Sequence, residues 1–269
     1  MRQSIWSIML VTSLSLSTFF ACQPDVRTPE TGSLSVHFDN VVGSQDLALG
    51  TGTYQNAVGE SFKVTKLNYF VSNFRLKRSD GTEYIVPQDK SYFLIQEDKP
   101  ASQSITFSTI PTGSYTGLSF VIGVDSLRSL ADISQRAGVL DPGLGTHDAM
   151  YWEWNSGYIF LKLEGTSSAA PAAQNNLFFY HIGGFGGGYN GKKTINNLRT
   201  ITIPFTGTSA RVTTLATPRI NLTADVLSVF NGPTKLSIAE HSSVMFEDYS
   251  TNIANNYVQM IRYTSQTNQ

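Results

Sequence analysis

The feature that most constrains this chain is a two-residue alternation of apolar and polar side chains that runs from Ser33 onward, broken every few residues by turn formers. In Leu34-Ser35-Val36-His37-Phe38, an extended backbone puts Leu34, Val36 and Phe38 on one side and His37 on the other. The same pattern predicts strands over 62–64, 67–76, 84–86, 92–96, 105–107 and 115–124. After a polar loop, further strands are predicted over 158–163, 177–182, 200–205, 211–215 and 220–222. Ser79-Asp80-Gly81-Thr82 supplies the positive φ that a tight hairpin demands. Helical spacing is confined to 126–137 and 252–261, the second placing Ile253, Tyr257 and Met260 on one face after a Ser250 or Thr251 cap. With no internal repeat and no linker, the expectation is an all-β chain, an antiparallel β-sandwich with one or two short helices, in a single domain over 33–269.

Such a sandwich needs a large core, and 269 residues with 41% hydrophobic side chains can build one. Only 14% of residues are charged, which excludes charge-driven disorder and a solvated coiled coil. Lys and Arg number 19 against 20 Asp and Glu, without any basic run, so nucleic acid is not an expected partner. Cys22 stands alone, so no disulfide can form within the chain.

Met1-Arg2 gives a positive start, and Ile5 to Phe20 is apolar or small but short for a permanent membrane span. Phe19-Phe20-Ala21-Cys22 resembles the lipobox of bacterial lipoproteins, with Phe19 at the position usually held by Leu. Residues 1–21 are therefore expected to be a lipoprotein signal peptide, Cys22 the acylated residue, and 22–32 a tether containing Pro24 and Pro29. The expected location is the periplasm or the outer membrane, with the membrane engaged through the lipid on Cys22. A plain signal peptide with an incidental Cys is the alternative.

Chemistry has few places to reside. Of His37, His147, His181 and His241, the third is the most informative, because an extended Leu177-Phe178-Phe179-Tyr180-His181-Ile182 aligns His181 with Leu177 and Phe179. An imidazole buried on such a face must bond or ligate something, and a core His satisfied by a backbone carbonyl is one answer. Met150-Tyr151-Trp152-Glu153-Trp154-Asn155-Ser156-Gly157-Tyr158 holds two of the three Trp, with Trp152 and Trp154 on one side of a strand, as core anchors or as a stacking platform. The glycine run 183–188 is followed by Lys192-Lys193 rather than the Lys-Ser/Thr of a phosphate-binding loop. Neither a Gly-x-Ser-x-Gly elbow nor a His-Glu-x-x-His helix occurs, and the spacing of Asp141, Asp148, Glu153 and Glu164 identifies no glycosidase dyad.

Three further segments, Phe62 to Asn73, Ile122-Gly123-Val124-Asp125-Ser126 and Leu163-Glu164-Gly165, join Met150 to Tyr158 and Tyr180-His181-Ile182-Gly183-Gly184 in a pattern that resembles the MbnP-like, methanobactin-associated copper-binding proteins over roughly 33–205. The resemblance implies a β-rich protein that binds Cu(I) through two His and a Trp oxidised to kynurenine by a dihaem peroxidase-like partner enzyme. It implies His181 as principal ligand, with His147 as the nearest second His, and Trp152 or Trp154 as the modifiable indole; on ligand softness, two neutral imidazoles, or an imidazole with the Met150 thioether, can hold Cu(I). Asp148 or Glu153 is the expected acceptor that fixes the imidazole tautomer.

The expected function is thus an exported, lipid-anchored copper-binding protein that is not an enzyme. The alternative is a surface module in which Trp152, Trp154, Tyr151 and Tyr189 stack on a glycan or another small ligand, and a third reading makes the aromatics core alone.

Overall fold

The computed structural model describes residues 29–143, 150–152, 157–188 and 192–268. Five sequence expectations lie outside these: the signal peptide with Cys22, then His147 with Asp148, Glu153 with Trp154, Tyr189, and the greater part of the tether.

Among the described residues the strands form two sheets. The smaller has β1 (Thr31–Val42) at its centre, with β14 (Arg219–Asp225) and then β16 (Ile261–Thr267) on one side and β2 (Gln45–Asp46) and β7 (Ser104–Pro111) on the other. The larger follows the order β12 (Arg199–Pro204), β8 (Gly113–Ile122), β4 (Ser61–Arg78), β10 (Gly157–Ser167), β11 (Leu177–Gly183), β15 (Ser243–Val244). Four short strands extend β4 and β10: β3 (Tyr54–Gln55), β5 (Glu83–Ile85), β6 (Tyr92–Gln96) and β9 (Tyr151–Trp152), while β13 (Ala210–Val212) pairs with β8.

The sheets pack face to face on a shared core. Leu34, Val36 and Phe38 of β1 are all fully buried, as the alternation requires. The Phe38 ring meets Tyr69 of β4 and Phe120 of β8 edge-on at 6.2 and 5.7 Å. The Tyr69 hydroxyl donates to Asn40 Oδ1 at 2.9 Å, and Asn40 in turn donates to Glu97, so the buried phenol and amide are both satisfied.

The sandwich expected from the sequence is present, but its pairing is mixed. β1 runs parallel to β14, and β11 parallel to β15. Long excursions separate the partners in each pair, which is the condition a parallel pairing requires and a local alternation cannot display. The segments 62–64 and 67–76 belong to one strand, β4, bent where the register slips between Ser72 and Arg75. Asn73 sits at the slip with φ 55°, the left-handed conformation an Asn tolerates at a bulge. The hairpin at Asp80-Gly81 forms as expected, Gly81 at φ 87° and Asp80 Oδ1 accepting from the Thr82 amide.

Helix α1 (Ser126–Ser129) is shorter than the predicted 126–137, because Asp132 caps a separate turn through the Ser134 amide and ends the register. α2 (Leu227–Asn231) and α3 (Ser250–Tyr257) close one end of the core, where Phe230 lies 4.5 Å from the Phe62 ring. Ile253, Tyr257 and Met260 are buried on one face as predicted, but the helix stops at Tyr257 and Ile261 opens β16.

Candidate functional site

The run 177–182 is apolar at nearly every position, and the sheet decides which side is the interior. β11 sends Phe178, Tyr180 and Ile182 into the shared core and turns Leu177, Phe179 and His181 to the outer face of the large sheet, half-buried. β10 does the same, with Leu161 and Leu163 inward and Lys162 and Glu164 outward. This brings Glu164 to His181, Oε1 lying 2.8 Å from Nε2, with Lys162 Nζ 3.6 Å from the same oxygen. The hydrogen bond from His181 holds the Glu164 carboxyl below its ordinary range, burial opposing it and Lys162 assisting.

Strand register extends this pair into a row. Gln96 on β6, Asn68 on β4, Lys162 on β10 and His181 on β11 face one another across four successive strands. Asn68 is completely buried and Gln96 and Lys162 nearly so. Among the described residues, neither carboxamide atom of Asn68 nor Nε2 of Gln96 has a hydrogen-bond partner. A buried orphaned polar group costs about 1–3 kcal/mol, so donors and acceptors beyond the row itself, an ordered water being the smallest, are needed to satisfy these groups.

Beside the row, the outer face carries a second apolar core in which Phe70, Leu94 and Phe160 are covered by Val124, Leu140, Met150, Trp152, Tyr158 and Phe185. Trp152 is 6% exposed and meets Phe246 edge-on at 6.0 Å. Its indole also lies over Gly183, where a Cβ would stand 2.7 Å from Cζ3. Gly183 follows His181 by two residues on the same side of β11, so the indole covers the strand position next to the imidazole's on that face. Met150 is 3% exposed in the same core, and its carbonyl accepts from the Ile159 amide at 2.9 Å. Tyr151 is half-buried, its hydroxyl accepting from Arg136 at 3.1 Å. The Tyr158 hydroxyl donates to Leu140 O, and burial pushes its pKa up to about 12.

The structure therefore joins His181, Trp152 and Met150 on one face, and gives the imidazole a carboxylate from Glu164. The remaining expected donors and acceptors, His147, Trp154, Asp148 and Glu153, lie outside the described residues. His37 bonds Ser104 on the small sheet, and His241 stacks on Tyr249. Among the described residues no three His, Cys, Asp or Glu side chains converge as a metal cage. The donor chemistry is compatible with a soft metal ion: a tautomer that gives Nε2–H to Glu164 would leave the Nδ1 lone pair as the nitrogen able to ligate, with thioether and indole as dry surroundings. Nothing in the sequence assigned Lys162, Asn68 and Gln96 a role at the site, and Glu164 entered as a possible glycosidase acid and as part of the Leu163-Glu164-Gly165 segment, not as the partner of His181. Only sheet register brings these residues together.

The MbnP family model matches residues 31–246. The solved structure of MbnP from Methylosinus trichosporium superposes with a TM-score of 0.51 at 16% identity, covering 81% of this chain and 82% of that one, which is a likeness of fold. No curated protein matches the sequence. With the family match spanning most of its length, including the row and the indole beside it, the chain belongs to the MbnP family.

Proposed function

We propose that this protein is an exported, lipid-anchored copper-binding protein that takes Cu(I) as cargo and performs no catalysis. His181 is its principal ligand, His147 the second, and Met150, Trp152 and Trp154 wall the ion from water. The observation that carries this reading is the pairing of a carboxylate-held imidazole with a buried indole on one sheet face. Glu164 serves as an acceptor that fixes the imidazole tautomer, the role also expected of Asp148 or Glu153 outside the described residues, so that one nitrogen keeps its lone pair for the ion. The ion, when bound, contributes a soft acceptor of low coordination number, and every other requirement falls on the chain's own residues.

Copper acquisition or handling in the envelope follows from export through the signal at 1–21 and acylation at Cys22. Conversion of Trp152 or Trp154 to kynurenine by a dihaem peroxidase-like partner belongs to the same reading. The glycan-stacking alternative needs an indole with an open face, and Trp152 presents none.

The test is an anaerobic Cu(I) titration against a chromophoric chelator, on wild type, His181→Ala and His147→Ala, each checked for folding by circular dichroism. Wild type is expected to withdraw one equivalent of copper, and folded His181→Ala to lose that capacity. A wild type that never competes, or a folded His181→Ala that competes equally, overturns the proposal. Intact mass of protein from the native envelope reads acylation and indole oxidation directly.

A further inference from the structure

The most exposed large apolar side chain among the described residues is Leu215, at 97%. It stands at the tip of the turn between β13 and β14, and the turn is built to hold it there. Thr213 Oγ1 accepts from the amides of both Leu215 and Ala216, at 3.2 and 2.9 Å, which fixes the tip conformation without any cover for the leucine. Isolated exposed leucines are ordinary, so position must carry the argument.

That position is the point where the N-terminal tether meets the sandwich. Gly32 packs directly on this turn: a Cβ there would stand 2.0 Å from the Thr213 carbonyl oxygen. Glu30 lines one cavity together with Arg211, Thr213 and Thr214. Eight residues lie between Cys22 and Thr31, a span of at most about 32 Å, so a lipid on Cys22 keeps this end of the sandwich within that distance of the bilayer. The stretch from Arg211 to Arg219 contains those two cations, both exposed, and no acid. Leucine at a tip with arginines on its flanks is the chemistry that enters the acyl boundary and meets anionic headgroups.

We propose that the turn 213–218, led by Leu215 and flanked by Arg211 and Arg219, is a membrane-contact tip that docks the sandwich end-on against the anionic bilayer holding its lipid. The proposal rests on the lipid-anchor reading given above. β8 runs from Gly113, opposite Val212, to Ile122 at its other end, some 30 Å away, where α1 begins. Docking at 213–218 therefore turns α1 and its exposed Leu127 toward open solvent.

The test uses the full chain, processed and acylated in a bacterial host, in vesicles of phosphatidylethanolamine and phosphatidylglycerol. Because acylation occupies Cys22, Leu215→Cys and, separately, Leu127→Cys each carry one free thiol for a polarity-sensitive fluorophore. The label at 215 is expected to shift to the blue and to be quenched severalfold more by spin-labelled lipid than the label at 127. Both effects should shrink in vesicles without phosphatidylglycerol. Chains that float with the vesicles yet report equal, water-like emission at both positions overturn the docking tip and leave the anchor intact. Chains that do not float overturn the anchor, and the tip with it.

Discussion

Glu164 Oε1 lies 2.8 Å from His181 Nε2 and 3.6 Å from Lys162 Nζ, so one carboxylate oxygen holds an imidazole from the next strand and an ammonium from its own. An acceptor of this kind orients a ligating His and raises its basicity. Glu164→Gln keeps a hydrogen-bonding oxygen but removes the charge. Copper affinity is expected to fall about 10–100-fold, in the range known for such supporting partners. Chelator competition at fixed pH measures it, and an unchanged affinity separates Glu164 from the site.

Gly183 has no room for a side chain. A methyl group there would stand 2.7 Å from Trp152 Cζ3 and 2.5 Å from the Tyr158 carbonyl oxygen. Gly183→Ala is expected to push the indole from its seat and cost about 1–3 kcal/mol, as overpacking does. Chemical denaturation reads the loss, and a shift of tryptophan emission reads the displacement.

Glu60 is a clasp for the segment that follows α2. Its two oxygens accept from the Ile238 and Ala239 amides, Ser237 Oγ and Asn56 Nδ2 at 2.6–3.0 Å. Burial alone would raise its pKa, but these donors outweigh burial and lower it. A carboxyl lowered on folding stabilises the native state fully above its unfolded value, and that contribution disappears as pH falls through the folded value. Glu60→Ala should cost about 1–3 kcal/mol for each buried donor left unpaired, and the gap from wild type should narrow in acid. Urea titrations at neutral and acid pH test both statements.

Asp125 accepts from Tyr92 Oη at 2.5 Å and from Asn73 Nδ2 at 2.9 Å, and it caps α1 through the Arg128 amide. Burial opposes ionisation here too, yet the donors hold the carboxyl below its ordinary value. Tyr92→Phe removes the shortest of these bonds and is expected to cost about 1.5–3 kcal/mol at neutral pH, as hydrogen bonds to charged groups do. By the same linkage, the cost should fade as pH drops through the pKa of Asp125 in the folded protein, since the protonated carboxyl no longer needs the phenol as donor. The pH dependence of the difference in denaturation midpoint is the measurement.

Strand positions were readable because alternation is a local property. Leu34, Val36 and Phe38 point inward as their spacing requires, and His181 shares its side with Leu177 and Phe179 as predicted. Which side of β11 is the interior was not readable, since Phe178, Tyr180 and Ile182 are as apolar as their alternating neighbours. The Glu164 partner was hidden for another reason: it lies 17 residues from His181, and only the β10–β11 register joins them. Nothing local marks Asn68 and Gln96 as interior, since both are polar strand positions, yet the second apolar core continues beside them and they are buried. β16 escaped notice because only Ile261 of its seven residues is buried, as befits a strand at the rim of its sheet.

The family match ends at Phe246, but the folding unit does not. Ile253, Tyr257 and Met260 are solvent-free, the Tyr257 hydroxyl reaches the Asn197 carbonyl, and β16 shields the flank of β14. A clone trimmed at the homology boundary would lose these three apolar side chains, uncover the core they seal and open a naked backbone ladder along β14, the usual recipe for inclusion bodies. Expression boundaries for relatives of this chain are better drawn past the equivalent of Thr267 than at the limit of recognisable kinship.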